Sequence, residues 1–165
     1  MSLSFLPIDL SQDFPIGLKF RRDAYLGSIG TLLGFEDMVG ERGAYYRQKI
    51  LARQGMDEWA YIHVLLKGEI IGQLELKGYS ELNHFGYIHL IYLRPELRGR
   101  GFADQIHSYC VSRLKKMNCR GALLSVGEKN LRALSFYRKH GWQDYGVNPK
   151  SAFTRFRILE FDCNT

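Results

Sequence analysis

Cysteine is scarce in this chain. Cys110, Cys119 and Cys163 are the three copies among 165 residues, far apart and outside any Cys/His pairing at metal-ligand spacing. That argues against a disulfide framework and a zinc site, and it fits a reducing cytoplasm. Long apolar runs are missing too: no segment approaches the roughly 18 apolar residues of a membrane span. Met1 to Leu10 has no basic stretch leading into an apolar one, so no export leader is expected. Internal repeats, linkers and low-complexity tracts are also lacking, which predicts one domain over residues 1–165.

The chain has ample core material. Hydrophobic residues make up 45% and aromatic residues 13%, enough to bury a core without staples. Lys and Arg total 23 against 17 Asp and Glu, a formal charge of +6. The excess favours an anionic partner, and both a polyphosphate cofactor and a nucleic acid meet that description. The basic residues are spread over the chain and no recognition motif accompanies them, so nucleic acid is not expected.

Periodicity orders the chain as β-α-α-β-β-β-α-β-α-β-β, an α/β arrangement with a mixed sheet. Leu3 to Ile8 reads as a first strand, and Asp9 with Ser11 offers cap chemistry for a helix from about Asp13 to Ile29, with Pro15 in its first turn. A second helix is expected from Phe35 to Arg53, with Tyr45, Ile50 and Leu51 facing inward. Trp59 to Leu66, Ile70 to Leu76 and Tyr87 to Leu93 are rich in β-branched, aromatic and aliphatic residues and predict an antiparallel meander. Ala103, Ile106, Cys110, Leu114 and Met117 then form an apolar helical stripe, with Lys115 and Lys116 in its last turn. Ala122 to Val126 reads as a buried strand and Asn130 to His140 as a helix stopped by Gly141. Strands near Trp142 to Tyr145 and Ala152 to Phe161 complete the order.

The most informative segment runs from Leu93 through Arg94-Pro95-Glu96-Leu97-Arg98-Gly99-Arg100-Gly101-Phe102 to Ala103, a strand passing through a basic glycine turn into a helix. Such a turn lets backbone approach a ligand and points the first free N–H groups of the helix at it, which is an anion cradle. Asp104 stands where a dinucleotide fingerprint needs a third small residue, and the Gly-Lys-Ser/Thr of a P-loop is absent. The remaining pattern is Arg/Gln-x-x-Gly-x-Gly/Ala, carried by Arg98, Gly101 and Ala103. It resembles the pyrophosphate-binding motif of the GNAT superfamily of N-acetyltransferases. Ile91-Tyr92-Leu93-Arg94-Pro95-Glu96 resembles the strand that precedes that loop, and Asn130, Ala133, Phe136-Tyr137 and Gly141-Trp142 resemble the second motif of the superfamily. The resemblance is strong from about Trp59 to Tyr145.

The resemblance implies a mixed, mostly antiparallel sheet with two splayed central strands, and transfer of acetyl from acetyl-CoA, the cosubstrate, to a primary amine through a tetrahedral intermediate. It implies that the backbone of Ile91 and Leu93 pairs with pantetheine, and that Gly99, Arg100, Gly101, Phe102, Ala103 and Asp104 give N–H groups to the pyrophosphate, with Arg98 and Arg100 adding charge. Asn130 is an N-cap by position and a pantetheine contact by resemblance. Tyr137 stands where the family carries its general acid, and a phenol of pKa about 10 suits protonation of a departing thiolate.

The base is left open. Ser125 occupies a position where some members carry Glu, and it cannot serve. His89 is preferred over Tyr87 on the strand before the loop, with a structural histidine and a water chain as alternatives. His63, His84, His107 and His140 receive no role, and Glu75 is expected at a solvated strand position. The N-terminal helices wall the acceptor pocket in this family, which puts Phe35, Glu36, Asp37, Tyr45 and Tyr46 near the acceptor, and the two acids would suit a cationic amine. A catalytically silent acyl-CoA-binding module is the alternative to an enzyme, and either would be a monomer or a homodimer without a membrane partner.

Overall fold

The computed structural model describes residues 1–162, and Cys163 lies outside the described residues. In chain order the elements are β1 (Ser4–Pro7), α1 (Leu10–Ile29), α2 (Phe35–Val39), α3 (Ala44–Arg53), β2 (Trp59–Leu66), β3 (Glu69–Lys77), β4 (Phe85–Leu93), α4 (Phe102–Lys116), β5 (Gly121–Gly127), α5 (Leu131–Lys139), β6 (Gln143–Val147) and β7 (Thr154–Glu160). The seven strands form one sheet in the order β1-β2-β3-β4-β5-β7-β6. Every neighbouring pair is antiparallel except β4 and β5. This is the mixed, mostly antiparallel sheet that the resemblance implies. Among the described residues no helix is long and apolar enough to cross a membrane.

Two helices depart from expectation, each for a local reason. The Asp9 carboxylate accepts from the Ser11 amide at 3.0 Å and from its hydroxyl at 2.6 Å, so α1 begins at Leu10 and Pro15 falls inside it. The stretch from Phe35 to Arg53 is not one helix. Gly40 and Gly43 adopt φ of 84° and 78°, and between them Arg42 has φ of 54°. These left-handed conformations interrupt the ladder and leave α2, a 3-10 turn over Glu41–Gly43, and α3. The restart changes the phase of the buried face. Tyr46 and Ile50, one turn apart, are 6% and 1% exposed, whereas Tyr45 and Leu51, expected inside, are 60% and 62% exposed.

Strand alternation divides the core between the two faces of the sheet. Ala60, Ile62 and Val64 of β2 face α4, whose Ile106, Cys110 and Leu114 pack with them and with Leu74 and Leu76. Removing each such aliphatic side chain from water contributes roughly 1.5–3 kcal/mol. Trp59 and Tyr61 point the other way, into a second cluster with Tyr46 and Ile50 of α3. Phe20 of α1 closes a third over Leu90 and Tyr92.

The sheet opens at its centre. β4 and β5 pair only from Phe85↔Gly121 to Ile88↔Leu124. Beyond that point β4 stays with β3 as far as Leu93, and β5 stays with β7 as far as Gly127. The β3 register passes from Leu76↔Ile88 to Glu75↔Leu90, so His89 is an extra residue, a β-bulge. Across it the pleat changes face: Ile88 packs with α4 and Leu90 with α1.

A candidate active site between diverging strands

The gap between β4 and β5 is a cleft of about 700 Å³, lined along its length by Ile91, Leu93, Gly99, Gly101, Asn130 and Tyr137. Past Ile88 the β4 backbone has no β5 partner, so the edge at Ile91 and Leu93 is free on that side. One acceptor there is taken, because Arg98 Nε donates to the Leu93 carbonyl at 2.9 Å. The same guanidinium lies 5.6 Å from the Tyr92 ring, which places its charge beside the strand edge.

The glycine turn leads directly into α4. Gly99 and Gly101 have φ of 76° and 88°, and a Cβ built on either meets nothing within 4 Å, so open space faces the turn. Gly101 caps α4 without a side-chain hydrogen bond, which leaves the amides of the first turn available. Phe102 is buried and anchors the helix start, and Arg100 is exposed. The Asp104 carboxylate turns toward α5, bonding His140 Nε2 at 2.8 Å and Lys139 at 3.2 Å, and these bonds hold its pKa below the usual range. Open space, free amides and the unpaired strand edge fit a pyrophosphate followed by an extended arm, the shape of coenzyme A.

Asn130 Oδ1 accepts from the Ala133 amide at 3.2 Å and caps α5. Two turns on, Tyr137 packs its ring 5.7 Å from Trp142 and lines the cleft. Burial, and then the Cys110 sulfur, push the phenol pKa above its ordinary value. Tyr137 therefore keeps its proton across the physiological range.

His89 lies in the same cleft. Its ring is held between Trp59, 5.5 Å away, and Tyr87, 4.6 Å away, with an edge open to solvent. The surrounding protein, followed by Arg21, Lys77, Arg53 and Lys49, lowers its pKa to about 3, so it is neutral at pH 7. Tyr87 meets Phe156 edge-on at 6.5 Å, and Ser125 Oγ accepts from Asn148 Nδ2 at 3.0 Å.

The remaining expected positions separate. Glu75, expected in solvent, is 3% exposed. It accepts from the Tyr46 hydroxyl at 2.5 Å and from Gln73 Nε2 at 3.1 Å, while His63 Nε2 donates to Gln73 Oε1 at 2.8 Å. The helices α1 and α3 cover that face of β3, and strand alternation alone does not show such a cover. Phe35 and Tyr46 belong to the core, and Glu36 and Asp37 are exposed outside the cleft. Tyr45 lines a separate groove. His107 accepts from Trp142 Nε1 at 2.8 Å and stacks on His140 at 4.2 Å, and His84 sits in a turn with φ of 67°.

The fold and the sequence both have known counterparts. The family model described as "Acetyltransferase (GNAT) family" matches residues 32–142. The PaiA N-acetyltransferase of Thermoplasma acidophilum, solved with coenzyme A, superposes with a TM-score of 0.77 at 15% identity, covering 98% of this chain and 100% of that one. The spermidine N-acetyltransferase of Vibrio cholerae, solved with CoA and spermine, gives 0.76 at 14% identity over 96% and 95% of the two chains. The Salmonella typhimurium protein yncA, with its cofactor acetyl-CoA, gives 0.71 at 13% identity over 100% and 97%. Comparison of the sequence with curated proteins gives no match. The family model spans more than half of the chain, and the protein belongs to the GNAT acetyltransferases.

Proposed function

We propose that the protein acetylates a primary amine by direct transfer, with Tyr137 as the general acid and His89 receiving the amine's N–H. The observation that carries this reading is that the uncapped amides of α4, the free edge at Ile91 and the neutral phenol of Tyr137 line one cleft. The amides of residues 99–104 bind the pyrophosphate, with charge from Arg98 and Arg100. Ile91 and Leu93 align the pantetheine as an added strand, and Asn130 contacts it from the start of α5.

Bound acetyl-CoA would supply a thioester, and the amine would add to its carbonyl to give a tetrahedral intermediate whose collapse breaks the C–S bond. Tyr137 donates its proton to the departing sulfur as charge builds there and regains one from solvent. On the other side, an amine of pKa about 10.4 costs about 4.6 kcal/mol to deprotonate at pH 7. The cations around His89 lower that cost, because the field that disfavours imidazolium also disfavours ammonium. His89 is too weak a base to store the proton. It accepts the N–H as a hydrogen bond and orients the amine, and water at this exposed residue carries the proton to solvent.

The test is release of CoA thiol from acetyl-CoA over an amine panel, for the wild type and Tyr137→Phe. The expected result is a kcat lower by about 10²–10⁴-fold with the Kd for acetyl-CoA within about twofold. A variant as fast as the wild type removes Tyr137 from the chemistry. Cofactor binding without turnover of any amine leaves an acyl-CoA-binding module.

A further inference from the structure

Trp59, whose ring lies against His89, also lines an open groove of about 510 Å³ with Tyr45, Gln48, Lys49, Arg53 and Tyr79. The Arg53 guanidinium stands 3.8 Å over the Trp59 ring, and Lys77 Nζ is 4.0 Å from the Tyr79 ring and 5.5 Å from that of Trp59. With Arg21 of α1, these make four cations around His89. Among the described residues none of the four has a carboxylate at salt-bridge distance. Glu75 is buried and bonded to Tyr46 and Gln73, and Glu81 pairs with Lys150 at 3.9 Å. The cradle for the cofactor is elsewhere. Lys77 is in register with Tyr87 at the start of β4, roughly 20 Å of strand away from Leu93. The acids expected to attract a cationic acceptor, Glu36 and Asp37, do not line this groove.

We propose that the acceptor is an amine bearing a carboxylate, with the carboxylate held by Arg53, Lys77 and Lys49 against Trp59 and Tyr79, and the nitrogen presented at His89. This rests on the amine acetylation proposed above and names its substrate class. A guanidinium and an ammonium on aromatic faces bind a carboxylate through charge-assisted hydrogen bonds, whereas a polyamine would meet four like charges.

Three five-carbon amines isolate the charge: 5-aminopentanoate, 5-aminopentanamide and 1,5-diaminopentane. Each is titrated into CoA-saturated protein and followed by tryptophan fluorescence, since of the two tryptophans Trp59 lines the groove and Trp142, bonded to His107, does not. The expected result is about tenfold tighter binding of the carboxylate than of the amide or the diamine, an advantage that shrinks as salt rises. Lys77→Gln and Arg53→Gln should each reduce the ratio by about two- to fivefold, and Lys77→Gln leaves the Arg53 stack on Trp59 in place. Equal binding of the three amines, or preference for the diamine, overturns the proposal. Displacement of 5-aminopentanoate by CoA also overturns it, by assigning these cations to the cofactor. Thiol release is read with the same amines: tight binding of the carboxylate without turnover supports the groove and sinks the acetylation reading alone.

Discussion

The two ends of β4 meet negative charge by different means. After Leu93 the protein offers backbone, an uncapped helix start behind two glycines with open space before them. Near Tyr87 it offers side chains, with Arg21 from α1, Lys49 and Arg53 from α3, and Lys77 from β3 converging on one histidine. Backbone amides bind whatever anion fits the turn, so that end suits a cosubstrate common to a family. Four side chains set by three elements can change one at a time, so the other end suits an acceptor particular to this protein.

The comparison breaks first at Gly101. Gly101→Val puts a β-branched residue at a φ of 88° and a Cβ into the open cradle. Left-handed strain of about 1–2 kcal/mol together with the blocked approach should weaken acetyl-CoA by about 30-fold or more in calorimetry. Binding of 5-aminopentanoate at the other end should be unchanged, and an equal loss at both ends would merge the two sites into one.

A smaller effect sharpens the acceptor side. Tyr46 accepts from Gln73 at 2.6 Å and donates to Glu75, beneath the wall of cations. Tyr46→Phe leaves both partners short of a bond in a buried setting and should cost about 1–3 kcal/mol in denaturant unfolding. Unchanged stability would mean that the network is not what seats α3 on the sheet. The smallest effect belongs to Asn130→Ala, about 1 kcal/mol from the lost cap on α5. If acetyl-CoA affinity falls as well, the side chain serves both the helix and the arm.

How much of this was legible in the sequence follows the same division. The glycine turn and the stripe Ile106, Cys110 and Leu114 are local patterns, and the structure places them as read. The strands of the meander agree to within two residues, because continuous β-branched and aromatic runs have few alternatives. The acceptor wall is a long-range product. Gly40 and Gly43 reset the phase of α3, so Tyr46 rather than Tyr45 went inside. Glu75 looked solvated because nothing in β3 shows that two helices lie over it. Lys77, Arg53 and Trp59 come from separate elements, and no spacing in the chain joins them.

Hydrogen–deuterium exchange with and without saturating acetyl-CoA tests the central claim most directly. Slower exchange should appear in residues 91–104, where the β4 edge and the first turn of α4 are covered, while the β6 segment, away from the cleft, stays unchanged. Unaltered exchange over residues 91–104 at saturation would contradict a cofactor seated between the diverging strands.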